Sequence, residues 1–250
     1  MYRIPIVIPS YEPDERLIEL LDNLTDSGFE DILIVDDGSG MEYRHIFDEA
    51  EKKFDCKILR HHVNMGKGRA LKDAFNYLLN NEKDMIGCIT ADSDGQHTAR
   101  DIKKCMDIMI LNKQSLVLGS RDFTDDNVPA KSMFGNQITR KIMKVLYGVD
   151  VSDTQTGLRG IPRDFMKVLV NVDGERFEFE TNMLVATKKK CKIIEVPIET
   201  IYDSKDNHST HFNPIKDSIR IYRIFAKKLT PLICGVVVAV ALVKATIKKI

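Results

Sequence analysis

Through its first 120 residues the chain alternates short, uninterrupted apolar runs with stretches whose apolar residues recur every three or four positions. Ile4–Ile8 is such a run and ends at Pro9. A helical stretch follows, with Leu17, Leu20, Leu21 and Leu24 on one face and Gly28 as its stop. Asp31–Val35 is the second run, followed by a polar helix from about Glu42 to Phe54 and a strand Cys56–Leu59. Gly66–Gly68 breaks the chain before a helix with Ala70, Leu71, Ala74, Phe75 and Leu78 at core spacing. Met85–Ala91 reads as a buried strand, Thr98–Leu111 as a helix and Ser115–Gly119 as a fifth strand. A strand apolar on every residue must be covered on both faces. The alternation therefore predicts an α/β fold with a mostly parallel sheet between two helical layers.

Beyond Arg121 the pattern loosens. A long helix is expected over about Lys131–Tyr147, another from near Glu180, and a strand over Lys192–Pro197. Asn213–Leu229 reads as a final amphipathic helix, with Ile215, Ile219, Tyr222 and Phe225 or Ala226 as its apolar stripe. It carries Lys216, Arg220, Arg223, Lys227 and Lys228 against the one acid Asp217. Pro231–Val243 then runs thirteen residues without a charge, short of the roughly twenty that cross a bilayer. The expected organisation is a catalytic domain over residues 1–229, with 213–229 its basic helix, and a membrane-associated tail over 230–250.

Composition narrows the function classes. Lys plus Arg and Asp plus Glu both number 37, so no global field points to nucleic acid. The five cysteines are scattered, with no C-x-x-C pair, which fits reduced thiols better than a disulfide framework. The N-terminus enters a strand-like run without a signal-peptide pattern.

The chemistry gathers at the C-terminal ends of the runs, the edge where open α/β sheets bind ligands. Pro9-Ser10-Tyr11-Glu12 after the first could pack and hydrogen-bond a nucleobase. Asp36-Asp37-Gly38-Ser39 after the second offers acceptors for base N–H or ribose hydroxyls. Asn64-Met65-Gly66-Lys67-Gly68-Arg69-Ala70 joins close backbone approach to positive charge at a helix N-terminus. It lacks the G-x-G-x-x-G and Walker A patterns, which argues against a dinucleotide site or a P-loop. Asp92-Ser93-Asp94 ends the fourth run, and two hard anionic oxygens there suit Mg²⁺ or Mn²⁺. Gly119-Ser120-Arg121 ends the fifth with a guanidinium suited to phosphate. Each is also a common turn; it is five such ends in strand order that carry the reading.

These residues, with Asp94-Gly95-Gln96-His97 and Gln155-Thr156-Gly157-Leu158-Arg159, resemble family 2 glycosyltransferases of the GT-A, Rossmann-like fold. Within that family the chain is similar to the polyprenyl-phosphate glycosyltransferases, the dolichyl-phosphate mannose synthase group, over about residues 4–229. The resemblance implies a metal-dependent hexosyltransferase that takes a UDP- or GDP-sugar, inverts the anomeric carbon and delivers the hexose to a polyprenyl phosphate. It implies that Pro9, Tyr11, Glu12 and Asp37 surround base and ribose, with Asp36 nearby and Lys67 beside the donor. Asp92 and Asp94 would be the metal pair, Gln96 a sugar or phosphate contact and Arg121 a diphosphate clamp. Asp153 and Glu180 are candidates for the acceptor side, and Arg159 binds phosphate or anchors its loop. The loop Tyr202–Phe212, with Lys205, His208 and His211, departs from the basic pattern of the mannose synthases and leaves the sugar open.

A lipid acceptor places the catalytic domain at the cytoplasmic face of a membrane, with the membrane surface as a partner and room for a separate membrane-protein partner. Two other readings compete: transfer to a soluble saccharide, which would need a catalytic base, and sugar nucleotidyl transfer, which would release pyrophosphate.

Overall fold

The computed structural model describes residues 2–121, 130–188, 190–199, 217–226 and 229. The chain divides into two compact units, Met1–His211 and Phe212–Ile250. The first holds a seven-stranded sheet, and every site residue considered below.

Strands β1 (Ile6–Ser10), β2 (Ile32–Asp36), β3 (Lys57–Arg60), β4 (Gly87–Thr90), β5 (Leu116–Arg121), β6 (Arg159–Pro162) and β7 (Ile193–Ile198) lie in the order β3-β2-β1-β4-β6-β5-β7. All neighbours run parallel except β6, which is antiparallel to both β4 and β5. Helices are α1 (Glu15–Asp26), α2 (Arg44–Phe54), α3 (Lys67–Asn81), α4 (Ala99–Leu111), α5 (Ala130–Tyr147), α6 (Arg163–Leu169) and α7 (Glu178–Ala186).

Side chains alternate across a strand, and here both directions are apolar. Ile6, Ile8, Ile34 and Ile89 join Leu17, Leu21 and Leu24 of α1, Phe47 of α2 and Ile102 of α4 in one buried cluster. Val7, Leu33 and Cys88 are equally buried, as are Leu71 and Phe75 of α3 and Phe165 of α6, and α3 packs on β1 and β2. The sheet is thus covered on both faces. Burial pushes the Cys56 thiol, beside Asp55, and the Cys105 thiol up to about 12, which keeps both protonated.

Several expectations shift in detail. β1 runs through Pro9 to Ser10 rather than stopping before it. Ile6 donates toward β2 while Val7 accepts from Ala91, so alternate residues face alternate neighbours. Pro9 therefore faces the β4 side, where the pairing has already ended at Val7↔Thr90, and its missing N–H costs the ladder nothing. The helix expected from Glu42 begins as a 3₁₀ turn, Met41–Tyr43, before α2. The strand β6 and helix α6 have no counterpart in the sequence reading.

In the second unit, residues 217–226 are helical, with Arg220 paired to Asp217 at 2.6 Å and Tyr222 edge-on to Phe225. The rest of the expected helix 213–229, apart from Leu229, lies outside the described residues, as do the loop 202–212 and the tail 230–250. Among the described residues no helix is long and apolar enough to cross a membrane.

Candidate functional site

The order in which strands are added reverses between the parallel neighbours β1 and β4: β2 and β3 extend to one side, and the later strands extend to the other. Strand ends splay at such a point and leave a crevice. A cavity of about 500 Å³ lies there, within the range of small-molecule sites. Its lining comes from the loop after β1 (Pro9 to Asp14), Arg16, Asp37, the loop before α3 (Asn64, Gly66, Lys67), the D-x-D turn (Asp92 to Asp94) and the pair Arg176–Phe177.

The loops around it are tied together. Glu12 holds a left-handed backbone (φ 49°) and donates its N–H to Ser39 Oγ at 2.9 Å. Tyr11 hydrogen-bonds the Glu12 carboxylate, and that bond, with burial and neighbouring acids, pushes the phenol pKa up. Asp36 accepts from Ser39 N at 2.9 Å and closes the turn after β2. Asp37, buried, accepts from Met65 N (2.9 Å), Gly66 N (2.7 Å) and His61 Nδ1 (2.8 Å). It thereby fixes the glycine loop. Gly66 has φ +104°, and a Cβ there would strike Glu175 and Arg176.

The D-x-D acids are not equivalent. Asp92 Oδ1 pairs with Lys67 Nζ at 2.7 Å, and Oδ2 lies 3.4 Å from His97 Nε2. A Cβ on Gly157 would sit on this carboxylate, so only glycine leaves it room. Burial alone would raise the Asp92 pKa, but the Lys67 ammonium and His97 outweigh it and hold the carboxyl well below the usual range. Lys67 also pairs with Glu180 Oε2 at 3.0 Å; burial works against its charge, and the two acids outweigh that and push its pKa up. Among the described residues Asp94 accepts only from Gln96 N, at 3.1 Å, and burial with the nearby Asp92 charge pushes its carboxyl up.

Asp94 thus has unused acceptor capacity and a charge that wants compensation. The cavity lining as a whole sets Arg16, Lys67 and Arg176 against Glu12, Asp14, Asp37, Asp92 and Asp94. A divalent cation fits that imbalance. Among the described residues no group of three or more His, Cys, Asp or Glu could hold it alone. Asp94, with Asp92 adjacent, would share it with ligand oxygens and water, the usual Mg²⁺ arrangement.

Of the residues picked out from sequence, Pro9, Tyr11, Glu12, Asp37, Lys67, Asp92 and Asp94 line the cavity. Asp36, Gln96, Arg121, Asp153, Arg159 and Glu180 do not. Arg121 grips the fully buried Asp153 with Nε (2.7 Å) and Nη2 (3.2 Å), and Asp153 also accepts from Gln155 N at 2.9 Å. Arg159 is buried in β6; its Nε donates to Thr156 O and its Nη1 to Glu180 O, at 2.9 and 2.8 Å. Of the two roles raised for it, the contacts are those of a loop anchor. Among the described residues Glu180 reaches the site through Lys67. Sequence reasoning missed Arg16, Arg176 and Phe177. Arg16 carries one signal, its place in the first turn of a helix beside the β1 loop, whereas Arg176 and Phe177 carry none.

A cavity with a D-x-D turn, at the switch point of a mixed seven-stranded sheet, defines the GT-A class of nucleotide-sugar folds. The chain belongs to glycosyl transferase family 2, whose family model matches residues 6–169. It is 31% identical over 202 residues to an uncharacterised protein of Methanocaldococcus jannaschii, covering 79% of this chain and 81% of that one. It is 31% identical over 223 residues to a UDP-N-acetylglucosamine–dolichyl-phosphate N-acetylglucosaminyltransferase of Methanococcus voltae, covering 80% and 86%. Among solved structures it superposes on S. aureus TarS residues 1–349 in complex with UDP-GlcNAc, with TM-score 0.56 and 15% identity, covering 91% of this chain and 66% of that one.

Proposed function

We propose that this glycosyltransferase moves a hexose from a nucleoside-diphospho-sugar to a polyprenyl phosphate, inverting the anomeric carbon, at the cytoplasmic face of a membrane. The dolichyl-phosphate relative supports the acceptor class, and its UDP-sugar supports uridine over guanosine as the donor base. The observation that carries the reading is the state of the carboxylates. Among the described residues, Glu12 is bonded to Tyr11, Asp14 to Arg16, Asp92 and Glu180 to Lys67, and Asp153 to Arg121. Asp37 holds the glycine loop, and Asp94 is the acid suited to a metal. Among the described residues that line or adjoin the cavity, that leaves no carboxylate disengaged to act as general base. A hydroxyl acceptor would need one, whereas a phosphate oxygen arrives already anionic.

The protein's task is then alignment and charge neutralisation. Pro9, Tyr11 and Asp37 flank the nucleoside end of the cavity, while Lys67 fixes Asp92 against Gly157 and so sets the D-x-D turn. A divalent ion, when bound at Asp94, supplies charge stabilisation to the leaving nucleoside diphosphate. Residues 213–229 and the apolar tail would bring the domain to the bilayer, each basic side chain near an anionic surface contributing about 1 kcal/mol.

The test is an assay with radiolabelled UDP- and GDP-sugars and dolichyl or undecaprenyl phosphate, followed by solvent partition. Label should move into the lipid phase with one donor. Label that stays aqueous with every donor overturns the reading. Label on an added soluble saccharide would select the alternative acceptor class, and pyrophosphate release would select nucleotidyl transfer.

A further inference from the structure

Two of the three cations lining the cavity are neutralised within the protein. Lys67 lies between Asp92 and Glu180, and Arg16 is paired with Asp14 at 2.8 Å. Arg176 is not: its Nη1 donates to the neutral Asn64 Oδ1 at 3.0 Å, and among the described residues no carboxylate pairs with its guanidinium. The fork keeps Nε and Nη2 for another partner.

Arg176 is also held in place. Its neighbour Glu175 accepts from Lys72 Nζ at 2.7 Å and pairs with Arg69 Nε at 2.6 Å, while Glu175 O accepts from Arg69 N at 2.9 Å. Lys72, almost fully buried, also donates to Val172 O at 3.3 Å, and Glu178 Oε1 accepts from Glu175 N at 3.1 Å. These bonds fasten the segment to α3, so little of the Arg176 position has to be ordered when a ligand enters.

Resting on the nucleotide-sugar reading above, we propose that Arg176, rather than Arg121, is the side chain that neutralises the donor's diphosphate. Arg121 spends its fork on Asp153, outside the cavity lining. A diphosphate brings at least two negative charges into a cavity that already holds five acids, and a guanidinium fork matches phosphate oxygens in shape and charge.

The test is calorimetric titration of UDP and GDP, and of UMP, GMP, uridine and guanosine, into wild type, Arg176→Gln and Arg176→Lys, with and without Mn²⁺. Arg176→Gln should weaken diphosphate binding about ten- to a hundredfold and monophosphate binding less, since the lost bonds are charge-assisted. Arg176→Lys should fall between, keeping the charge and losing the fork. Unchanged diphosphate affinity in Arg176→Gln, or an equal loss for diphosphate and nucleoside, overturns this assignment alone. Wild type that binds no nucleoside diphosphate overturns it together with the donor reading.

Discussion

Replacing Lys67 with methionine keeps most of the side chain's bulk and removes one charge. The ammonium sits 2.7 Å from Asp92 and 3.0 Å from Glu180, with side-chain exposures of 16%, 30% and 9% for the three residues. Deleting one partner of a buried ion pair costs about 3–5 kcal/mol, because the stranded charge stays desolvated. Water screens part of the Asp92 half, so about 2–4 kcal/mol is expected. For a domain of this size that lowers Tm by roughly 5–15 °C. The folded pKa of Asp92 lies below its ordinary 3.8, so its share of stability is complete above 3.8 and is lost as pH falls through the folded value. The folded pKa of Lys67 lies above its ordinary 10.5, so its share is complete below 10.5 and is lost as pH rises through the folded value. The gap between wild type and variant should therefore be flat between roughly pH 5 and 9. Thermal unfolding followed by circular dichroism measures it, and Lys67→Met with Glu180→Gln should recover part of the loss. A Tm within about a degree of wild type, or no recovery in the double variant, refutes the reasoning.

Other consequences are independent of that pair. Asp94→Ala should abolish transfer and metal-dependent donor binding while leaving the melting temperature near wild type, since among the described residues Asp94 accepts only from Gln96 N. Metal-dependent binding that persists in a calorimetric titration would remove Asp94 from the metal site. Gly157→Ala drives a Cβ onto the Asp92 carboxylate while Thr90 holds Gly157 O, and should cost about 1–3 kcal/mol along with most activity. Normal turnover in that variant would mean Asp92 can move without consequence. Arg121→Ala strands a fully buried Asp153 and should cost about 3–5 kcal/mol in urea unfolding, with Arg121→Lys intermediate. Equal midpoints for wild type and Arg121→Ala would show the pair to be dispensable.

Strands β1, β2 and β4 were legible because each is a buried run dominated by apolar residues, and that pattern depends on nothing distant. β6 is the opposite case. Its four residues, Arg-Gly-Ile-Pro, contain one apolar side chain of strand-forming type, and their conformation comes from Cys88↔Ile161 on one side and Val117↔Gly160 on the other. Pairing with strands so distant along the chain leaves no local trace, and a buried Arg159 inside a sheet runs against the usual pattern. In the site, the cavity-lining loops after β1, β2 and β4 could be read from residue type and position at strand ends. The partners of Arg121 and Glu180 could not: both look like ligand contacts in one dimension, and only the fold brings Asp153 and Lys67 against them. Arg176 carries no such signal, since only the fold brings it to the cavity.

The attachment of residues 172–178 to α3 has an evolutionary corollary. One wall of the cavity belongs to no strand of the sheet, and it is joined through ionic and backbone bonds to Lys72 and Arg69. Substitutions at Arg176 or Phe177 would therefore change the lining of the cavity without touching the apolar layers that keep the domain folded. Selection has access here to a part of the molecule where changing the substrate and losing the protein are separate risks.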